Sequence, residues 1–228
     1  MKKNCAVVLV GPAGSGKTTL ARGLSSSGLG GEKPQEVSVI ETGNLLEAEI
    51  RRGTPLGAQI KPYKVAGELV PSALVEEVIS AELERIQGGL VLFDGFPRSL
   101  DQVEVQSRVL KRHNRQLCAV IVLLLDLAVS IRRLSGRRIC SNCGTLHNMY
   151  SNPPRQEGVC DRCGGKLIQR GDDREELVRH RFATYQRETV PVIERFKSEC
   201  PQIVWEVSAD APPAEVLDRV RERLKSWP

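Results

Sequence analysis

A glycine-rich segment near the start of the chain has the spacing of a phosphate-binding loop. Residues 11–18 read GPAGSGKT, which satisfies the pattern G-x-x-x-x-G-K-[ST]. Backbone N–H groups of such a loop converge on phosphate oxygens, the following helix adds its positive dipole end, and the lysine supplies a full charge. The pattern predicts a nucleoside triphosphate site, with Mg²⁺ held by the hydroxyl of Thr18 or Thr19. The triphosphate-binding residues would be Gly14, Ser15, Gly16, Lys17, Thr18 and Thr19.

Four cysteines form two close pairs, Cys140-x-x-Cys143 and Cys160-x-x-Cys163, with 16 residues between the pairs. This spacing is typical of a tetrahedral Zn²⁺ held by four thiolates. Such a zinc would be structural, because no coordination position stays open and residues 137–171 contain few apolar side chains to form a core. A zinc ribbon that binds nucleic acid is the alternative. We interpret the three remaining cysteines as isolated, buried side chains rather than reactive thiols or parts of a disulfide framework: Cys5, Cys118 and Cys200.

Short apolar runs alternate with helix-like stretches along the chain. The runs are continuous rather than alternating, as in strands that are buried on both faces of a parallel sheet. We expect strands at Cys5–Val10, Val37–Ile40, Leu90–Phe93, Ala119–Leu125 and Ile203–Val207. We expect helices at Lys17–Leu24, Leu45–Arg52, Ser72–Ile86, Leu100–Arg112, Leu127–Leu134, Glu175–Lys197 and Ala214–Lys225. The sixth of these should be interrupted near Pro191. Ser25–Gln35 should form a flexible connection. The alternation predicts a doubly wound α/β fold.

The composition and the lengths of the apolar runs argue against a membrane-spanning or secreted protein. The chain has 228 residues, of which 40% are hydrophobic and 27% charged, and a formal net charge of +5. The longest apolar run, Leu117–Leu125, is far shorter than the roughly 20 residues of a membrane helix. The apolar run that follows Lys2 and Lys3 is also too short for a secretory signal. We therefore expect a cytoplasmic protein with no membrane partner, and a monomer, because no large apolar stripe is left over.

A second motif follows the third predicted strand. Asp94 ends that strand beside the phosphate-binding loop, where it could hold Mg²⁺ directly or through water. Residues 94–98 read DGFPR, the signature of the adenylate kinase family of nucleoside monophosphate kinases, and Gln102 stands at that family's next glutamine. Residues 41–44, 136–140 and 170–173 resemble its monophosphate site and the two ends of its lid, and residues 152–154 resemble its zinc-bearing lids. The chain thus resembles this family over nearly its whole length.

The resemblance implies a fold, a reaction and a set of binding residues. The fold is a P-loop NTPase core with a five-stranded parallel sheet, formed by residues 1–40, 71–136 and 172–228. Residues 41–70 would be a helical insert that binds the monophosphate, and residues 137–171 a zinc-binding lid. The reaction is reversible, Mg²⁺-dependent transfer of the ATP γ-phosphoryl group to AMP, which gives two ADP, and we expect no nucleic-acid partner. The catalytic cations would be Lys17, Arg98, Arg133, Arg137, Arg170 and Arg181. Arg133, Arg137 and His147 would contact ATP, whereas Thr42, Val70, Gly95, Phe96, Arg98, Gln102, Arg170 and Arg181 would contact AMP.

One residue departs from the family pattern in a way that affects function. Glu47 stands where the family has an arginine that holds the monophosphate's phosphate. We interpret Asn44 and Glu47 as a capping box, with Arg51 paired to Glu47 at i,i+4. Our hypothesis is that Arg51 or Arg52 replaces the missing cation. Two alternatives stay open: a kinase for another nucleoside monophosphate, and a weakly catalytic nucleotide-binding protein whose zinc module contacts nucleic acid.

Overall fold

A parallel sheet forms the centre of the molecule. The structure, a computed structural model, describes residues 4–27 and 37–225. Five strands pair in the order β2-β3-β1-β4-β8, which confirms the predicted α/β fold. Their bounds are β1 Cys5–Val10, β2 Val37–Glu41, β3 Leu90–Asp94, β4 Gln116–Leu124 and β8 Val204–Ser208. The middle strands β1 and β3 are buried along their whole length, as their continuous apolar sequences predict.

Helices cover both faces of the sheet. The helices outside the two inserted segments are α1 Lys17–Ser27, α4 Ser72–Leu83, α5 Leu100–Arg112, α6 Leu127–Ser135, α7 Glu175–Thr184, α8 Val190–Glu199 and α9 Pro213–Lys225. Five of them, α1, α4, α5, α8 and α9, contribute buried side chains to the cores on the two faces. Alternate residues of β1 enter two separate core layers: Ala6 and Val8 pack with α4, α5 and α8, whereas Val7 and Leu9 pack with α1 and α9. None of the helices in the described part of the chain combines the length and the apolar character that crossing a membrane requires.

Two further helices lie between β2 and β3: α2 Thr42–Arg52 and α3 Pro55–Ala66. The capping-box interpretation is wrong, because α2 begins directly after β2 and Asn44 lies inside it, where its amide donates to the carboxylate of Glu41. In α3, the hydroxyl of Thr54 caps the helix by accepting from Gly57 N at 2.9 Å. A Cβ at Gly57 would lie 2.2 Å from Glu49 O, so glycine allows α3 to pack closely on α2.

A small antiparallel sheet stands apart from the main one. It consists of β5 Arg137–Cys140, β6 Leu146–Asn148 and β7 Leu167–Ile168, in the order β6-β5-β7. The sequence did not predict these strands, because two to four residues are too few to show a period. All four paired cysteines lie in or beside this sheet.

The interpretation of Cys5 and Cys118 as isolated side chains is wrong in one respect. Both are buried, as predicted, but they form a disulfide with a Cα–Cα distance of 5.7 Å. The two residues lie on the neighbouring strands β1 and β4, next to a register shift between Ala6 and Val7. Strand neighbours that are 113 positions apart cannot be recognised from sequence spacing alone. Cys200 is a free thiol.

The long helix predicted at Glu175–Lys197 is divided into α7 and α8. A π-helical turn, Tyr185–Thr189, joins them, and Pro191 is the second residue of α8, so the interruption expected near this proline is confirmed. This turn also reaches the site described below, because the Thr189 hydroxyl donates to Arg98 O at 2.8 Å. Of the connection expected at Ser25–Gln35, Ser25–Ser27 end α1 and residues 28–35 lie outside the described residues.

Candidate active site

A cleft of about 1130 Å³ opens at the carboxyl edge of the main sheet, between the helical pair α2–α3 and the small sheet. The phosphate-binding loop follows β1, and the DGFPR turn follows β3. Because β1 and β3 are neighbours with Leu9 paired to Asp94, the two motifs meet at this edge. The Thr18 hydroxyl donates to the carboxylate of Asp94. These two oxygen ligands are the kind that Mg²⁺ prefers, and their contact favours Thr18 over the exposed Thr19.

Lys17 is folded back onto its own loop. Its Nζ donates to Gly11 O at 2.7 Å, to Pro12 O at 2.8 Å and to Ser15 Oγ at 3.3 Å. Burial lowers the pKa of Lys17 to about 7, against the opposing effect of the Asp94 carboxylate. The loop oxygens therefore occupy all three donors of an ammonium group that burial disfavours, and phosphate oxygens would be stronger partners.

The DGFPR turn brings four of the residues predicted for the acceptor nucleotide together. Arg98 Nε donates to Gly95 O at 2.8 Å, and Gln102 Oε1 accepts from Arg98 N at 2.8 Å. The amide of Gln102 also donates to Val70 O at 3.5 Å. Gly95 has a φ of +79°, and a Cβ there would lie 2.5 Å from a terminal nitrogen of Arg98. Glycine is therefore required for the guanidinium to fold back over the turn.

Thr42 and Phe96, two further residues predicted for AMP, differ in their surroundings. Thr42 lines the cleft and is 4% exposed, and its hydroxyl has no hydrogen-bond partner among the described residues. The side chain of Phe96 is instead buried in the core, where it packs against Phe93 with ring centroids 5.7 Å apart. Phe96 is not among the residues that line the cleft, since the strand-to-turn geometry directs its ring inward, and its contact with AMP stays a prediction.

Two aspartates organise the arginines at the end of the lid segment. Asp173 is fully buried and accepts two bonds from Arg137, at 2.7 and 2.5 Å. Asp172 accepts from Arg170 at 3.0 and 3.2 Å and from Arg181 at 3.0 Å. Burial alone would raise the pKa of Asp172, but the charges of Arg181, Arg170 and Arg137 outweigh it and lower that pKa. Three predicted phosphate ligands are thus grouped at one wall of the cleft.

Arg133 and His147 also line the cleft, close to Arg137, whose strand partner Asn148 donates to Arg133 O at 2.8 Å. Arg133 donates to Ala209 O at 2.8 Å and to Gly14 O at 3.4 Å, which joins α6 to the phosphate-binding loop. His147 is 5% exposed and lines the cleft, and neither ring nitrogen has a hydrogen-bond partner within residues 4–27 and 37–225. Arg133 therefore lies beside the phosphate-binding loop, and His147 retains donor and acceptor capacity for a ligand; their contacts with ATP stay predictions.

The cleft also has wall residues that the sequence reading missed. Residues 210–213, which follow β8, line it, and so does Lys64 of α3. Ser130 of α6 supports the phosphate-binding loop through a hydrogen bond to Ala13 O at 2.6 Å. The position of residues 210–213 could have been found from the rule that ligands of parallel sheets bind at the carboxyl ends of the strands. The position of Lys64 depends on how α3 packs, which no local pattern shows.

The paired cysteines converge on one point. The four sulfur atoms of Cys140, Cys143, Cys160 and Cys163 all lie within 4.8 Å of one another. Two of the separations are 3.5 Å and 3.6 Å. Zn–S bonds of about 2.3 Å in a tetrahedron place sulfurs about 3.8 Å apart, so the cluster fits Zn²⁺. The fit also needs Gly165, where a Cβ would lie 2.9 Å from Cys140 Sγ.

Glu47 has a different partner from the one predicted. Its Oε1 lies 3.2 Å from Lys64 Nζ, on the neighbouring helix α3, and not against Arg51. Arg52 is paired with Glu49 at 2.7 Å. The predicted i,i+4 pair within α2 is therefore replaced by an ion pair between α2 and α3, because close helix packing brings Lys64 to Glu47.

Comparison with known proteins identifies the family. The family model described as "Adenylate kinase" matches residues 9–200. A protein named adenylate kinase from Thermococcus kodakarensis is 35% identical over 218 residues, which cover 96% of this chain and 93% of the relative. A relative of the same name from Methanocella arvoryzae is 40% identical, and the match covers 84% of this chain and 86% of that relative. Another, from Acidothermus cellulolyticus, is 39% identical over 97% of this chain and 98% of the relative. The chain, with its phosphate-binding loop, its DGFPR turn and its converging arginines, belongs to the adenylate kinase family.

Proposed function

We propose that the protein is an adenylate kinase that reversibly transfers the γ-phosphoryl group of ATP to AMP and yields two ADP. The observation that carries this proposal is that one cleft joins the phosphate-binding loop, the DGFPR turn and arginines of several elements. An oxygen of the AMP phosphate forms a bond to the γ-phosphorus of ATP. The bond from that phosphorus to the bridging oxygen breaks, and ADP leaves with the electron pair.

The chain's own contribution to this reaction is electrostatic and geometric. The transferred group carries charge spread over its oxygens, and no covalent intermediate with the protein is needed. We assign the donor phosphates to Lys17, Arg133 and Arg137, and the acceptor phosphate to Arg98. Arg170 and Arg181 would contact both nucleotides from the end of the lid. Fixed cations of this kind stabilise the transition state because they need no reorganisation during transfer.

The proposal includes two mobile inserts. Residues 41–70 would close over the acceptor nucleotide and residues 137–171 over the donor, while the remaining residues form the core. Closure would bring the arginines onto the phosphates and exclude water, which prevents wasteful hydrolysis of ATP. In the first insert, α3 packs closely on α2 at Gly57, and in the second, three strands pair in one antiparallel sheet. Both features support the view that each insert moves as a unit.

Two metal ions belong to the proposal. Thr18 and Asp94 would hold Mg²⁺, directly or through water, and the ion would neutralise phosphate charge. Cys140, Cys143, Cys160 and Cys163 would hold a structural Zn²⁺ that stabilises the lid. We further propose a cytoplasmic monomer without nucleic-acid or membrane partners. A monomer is supported by the distribution of the exposed large apolar side chains among the described residues, which belong to four different parts of the molecule: α3, α5, β4 and the lid.

A transfer assay tests the function. Mg-ATP is supplied with AMP, CMP, UMP or GMP, and nucleoside diphosphate formation is followed for the wild type and for Lys17→Met. We expect transfer to AMP, with preference over the other bases and loss of at least 100-fold in the variant. Transfer to another base instead would replace AMP as the acceptor. ATP binding without transfer to any of the four acceptors would overturn the proposed reaction.

Neither alternative gains support from the described residues. A kinase for another monophosphate was suggested by Glu47, but the charge of Glu47 is compensated by Lys64. A role of the zinc module in nucleic-acid binding would require salt-dependent binding of an oligonucleotide at sub-micromolar protein. We expect no such binding, and an electrophoretic mobility assay at two salt concentrations checks this.

A further inference from the structure

The ion pair between Glu47 and Lys64 lies at the wall of the cleft. Glu47 belongs to α2 and Lys64 to α3, and their charged atoms are 3.2 Å apart. On α3, Gly57, Ile60 and Lys64 share one face, since they are three and seven residues apart. Gly57 and Ile60 are buried, and Gly57 packs on the backbone of α2. Lys64 therefore reaches Glu47 at the end of this packed face, where it also lines the cleft.

The charges around Lys64 are those of the acceptor site. Burial lowers the pKa of Lys64, and the positive charges of Arg98 and Arg170 lower it further, whereas Glu47 opposes both effects. The amine thus lies in the same electrostatic field as two arginines that the reaction assigns to phosphate. Each of these three cations has a carboxylate nearby, Glu47 for Lys64, Asp94 for Arg98 and Asp172 for Arg170, so a phosphate would bind through the N–H donors that these contacts leave free.

Arg51 and Arg52, the two arginines that the sequence suggested as replacements for the missing cation, are less well placed than Lys64 to bind the phosphate. Arg52 is paired with Glu49 and faces a separate groove between α2 and α4, whose wall also includes Glu77 and Arg85. Arg51 lines the cleft, but its side chain is exposed to solvent. Lys64 is less exposed, at 24% of its side chain, and is already held in one position by Glu47.

We propose that Lys64 binds the phosphate of the acceptor nucleotide and that Glu47 positions its amine; this inference rests on the proposed transfer reaction. An ammonium group has three N–H donors, so one bond to Glu47 leaves two for phosphate oxygens. Glu47 consequently does not repel the phosphate, because its charge is compensated by the lysine that lies between them. The cation that the acceptor site needs from this helical pair is supplied by α3 rather than by α2.

The test compares Lys64→Met with Lys61→Met, which removes an exposed lysine one turn earlier on α3. Loss of a charge-assisted hydrogen bond predicts that Lys64→Met raises the KM and the Kd for AMP about tenfold or more. The KM for ATP should stay within about twofold. The inhibition constant of adenosine, which has the same base and sugar but no phosphate, should not change. Lys61→Met should resemble the wild type in all four quantities.

A relocated charge provides the second variant. Because the two side chains are in contact, Glu47→Arg combined with Lys64→Met places a cation at the same point, and it should restore most of the affinity for AMP. A merely structural role of the ion pair would not be rescued in this way, since the pair remains absent. Glu47→Gln should raise the KM for AMP by less than Lys64→Met does, because the amine is retained but less well positioned.

The outcomes separate this inference from the proposed function. If the wild type transfers phosphoryl groups and Lys64→Met binds AMP as Lys61→Met does, the role of Lys64 is wrong and the reaction stands. Absence of transfer by the wild type overturns the reaction itself. Calorimetric binding of AMP to the same variants then still decides whether Lys64 contacts the phosphate. Melting curves confirm that each variant is folded before it is compared.

Discussion

Lys17 and Lys64, two lysines of the cleft, are partly buried, and each donates to oxygens of the protein itself. Burial lowers the pKa of both amines. A bound phosphate favours the protonated form, so ligand binding and proton binding are coupled at these positions. The protein oxygens hold each side chain near the place where the phosphate must bind, which reduces the conformational entropy that is lost on binding.

Proton uptake on ATP binding follows from the position of Lys17. With a pKa of about 7, the free protein holds mostly neutral Lys17 at pH 8. Bound triphosphate restores the charged form, so binding of Mg-ATP at pH 8 should be accompanied by the uptake of about 0.9 proton per site. The uptake should decrease as the pH falls below 7, where the free lysine is already charged.

Titration calorimetry measures this uptake. The apparent binding enthalpy of Mg-ATP is compared in HEPES and Tris at pH 8, because these buffers differ in ionisation enthalpy. Lys17→Met should bind ATP more weakly and with equal enthalpies in both buffers. Equal enthalpies for the wild type would contradict the lowered pKa of Lys17.

Gly95→Ala should damage the acceptor site through Arg98. The left-handed φ of +79° costs an L residue about 1–2 kcal/mol, and the new Cβ would displace the guanidinium of Arg98. We expect lower thermal stability together with a KM for AMP that is raised about tenfold or more. Gly88→Ala is the matched control: Gly88 has a φ of +71°, and the nearest atom to its Cβ lies 4.0 Å away. It should lose stability but keep its KM, so a normal KM in Gly95→Ala would contradict the role of Arg98.

At the scale of elements, the strands of the main sheet could be predicted but the helical pair could not be placed. Continuous apolar runs such as Leu90–Phe93 are typical of strands that are buried on both faces of a parallel sheet. The start of α2 was missed because β2 continues directly into it and no capping residue marks the boundary. The partner of Glu47 was missed for a related reason, since residues of α2 and α3 meet through packing at Gly57 and not through helical spacing.

The lid is the element whose stability depends most on a metal. Its apolar core consists of little more than Leu167 and the cysteines themselves. Cys140→Ser combined with Cys160→Ser should therefore reduce bound zinc from about one per chain to near zero. The lid should unfold locally, which lowers the melting temperature and raises the KM for ATP more than that for AMP.

Inductively coupled plasma mass spectrometry measures the zinc content, and melting curves measure the stability. Cys200→Ser is the control outside the cluster. Cys200 is a free thiol near the end of α8, and its replacement should change neither the zinc content nor the KM for ATP. Unchanged zinc and melting temperature in the double variant would show that the cysteines do not hold a structural metal.

At the scale of the whole molecule, the order of motifs along the chain was sufficient to predict a parallel core with two inserts. The same order predicts that two motifs of the candidate site meet, because a loop after β1 and a turn after β3 must lie together if these strands are neighbours. Contacts that depend on register or on packing between distant segments were not predictable. These are the ion pair of Lys64, the grouping of arginines around Asp172 and Asp173, and the bond between Cys5 and Cys118.

That bond joins β1 to β4 at the edge of the sheet opposite the cleft, so it should affect stability without affecting catalysis. It closes a loop between residues 113 positions apart, and loops of this length predict a stabilisation of about 2–5 kcal/mol. Cys5→Ala combined with Cys118→Ala should lower the free energy of unfolding by about that amount in urea titrations, with kcat and both KM values unchanged. Cys200→Ala controls for loss of a sulfur. After zinc is chelated, the denatured wild type should show five free thiols rather than seven. Seven titrating thiols, or equal stability of the double variant, would contradict the disulfide.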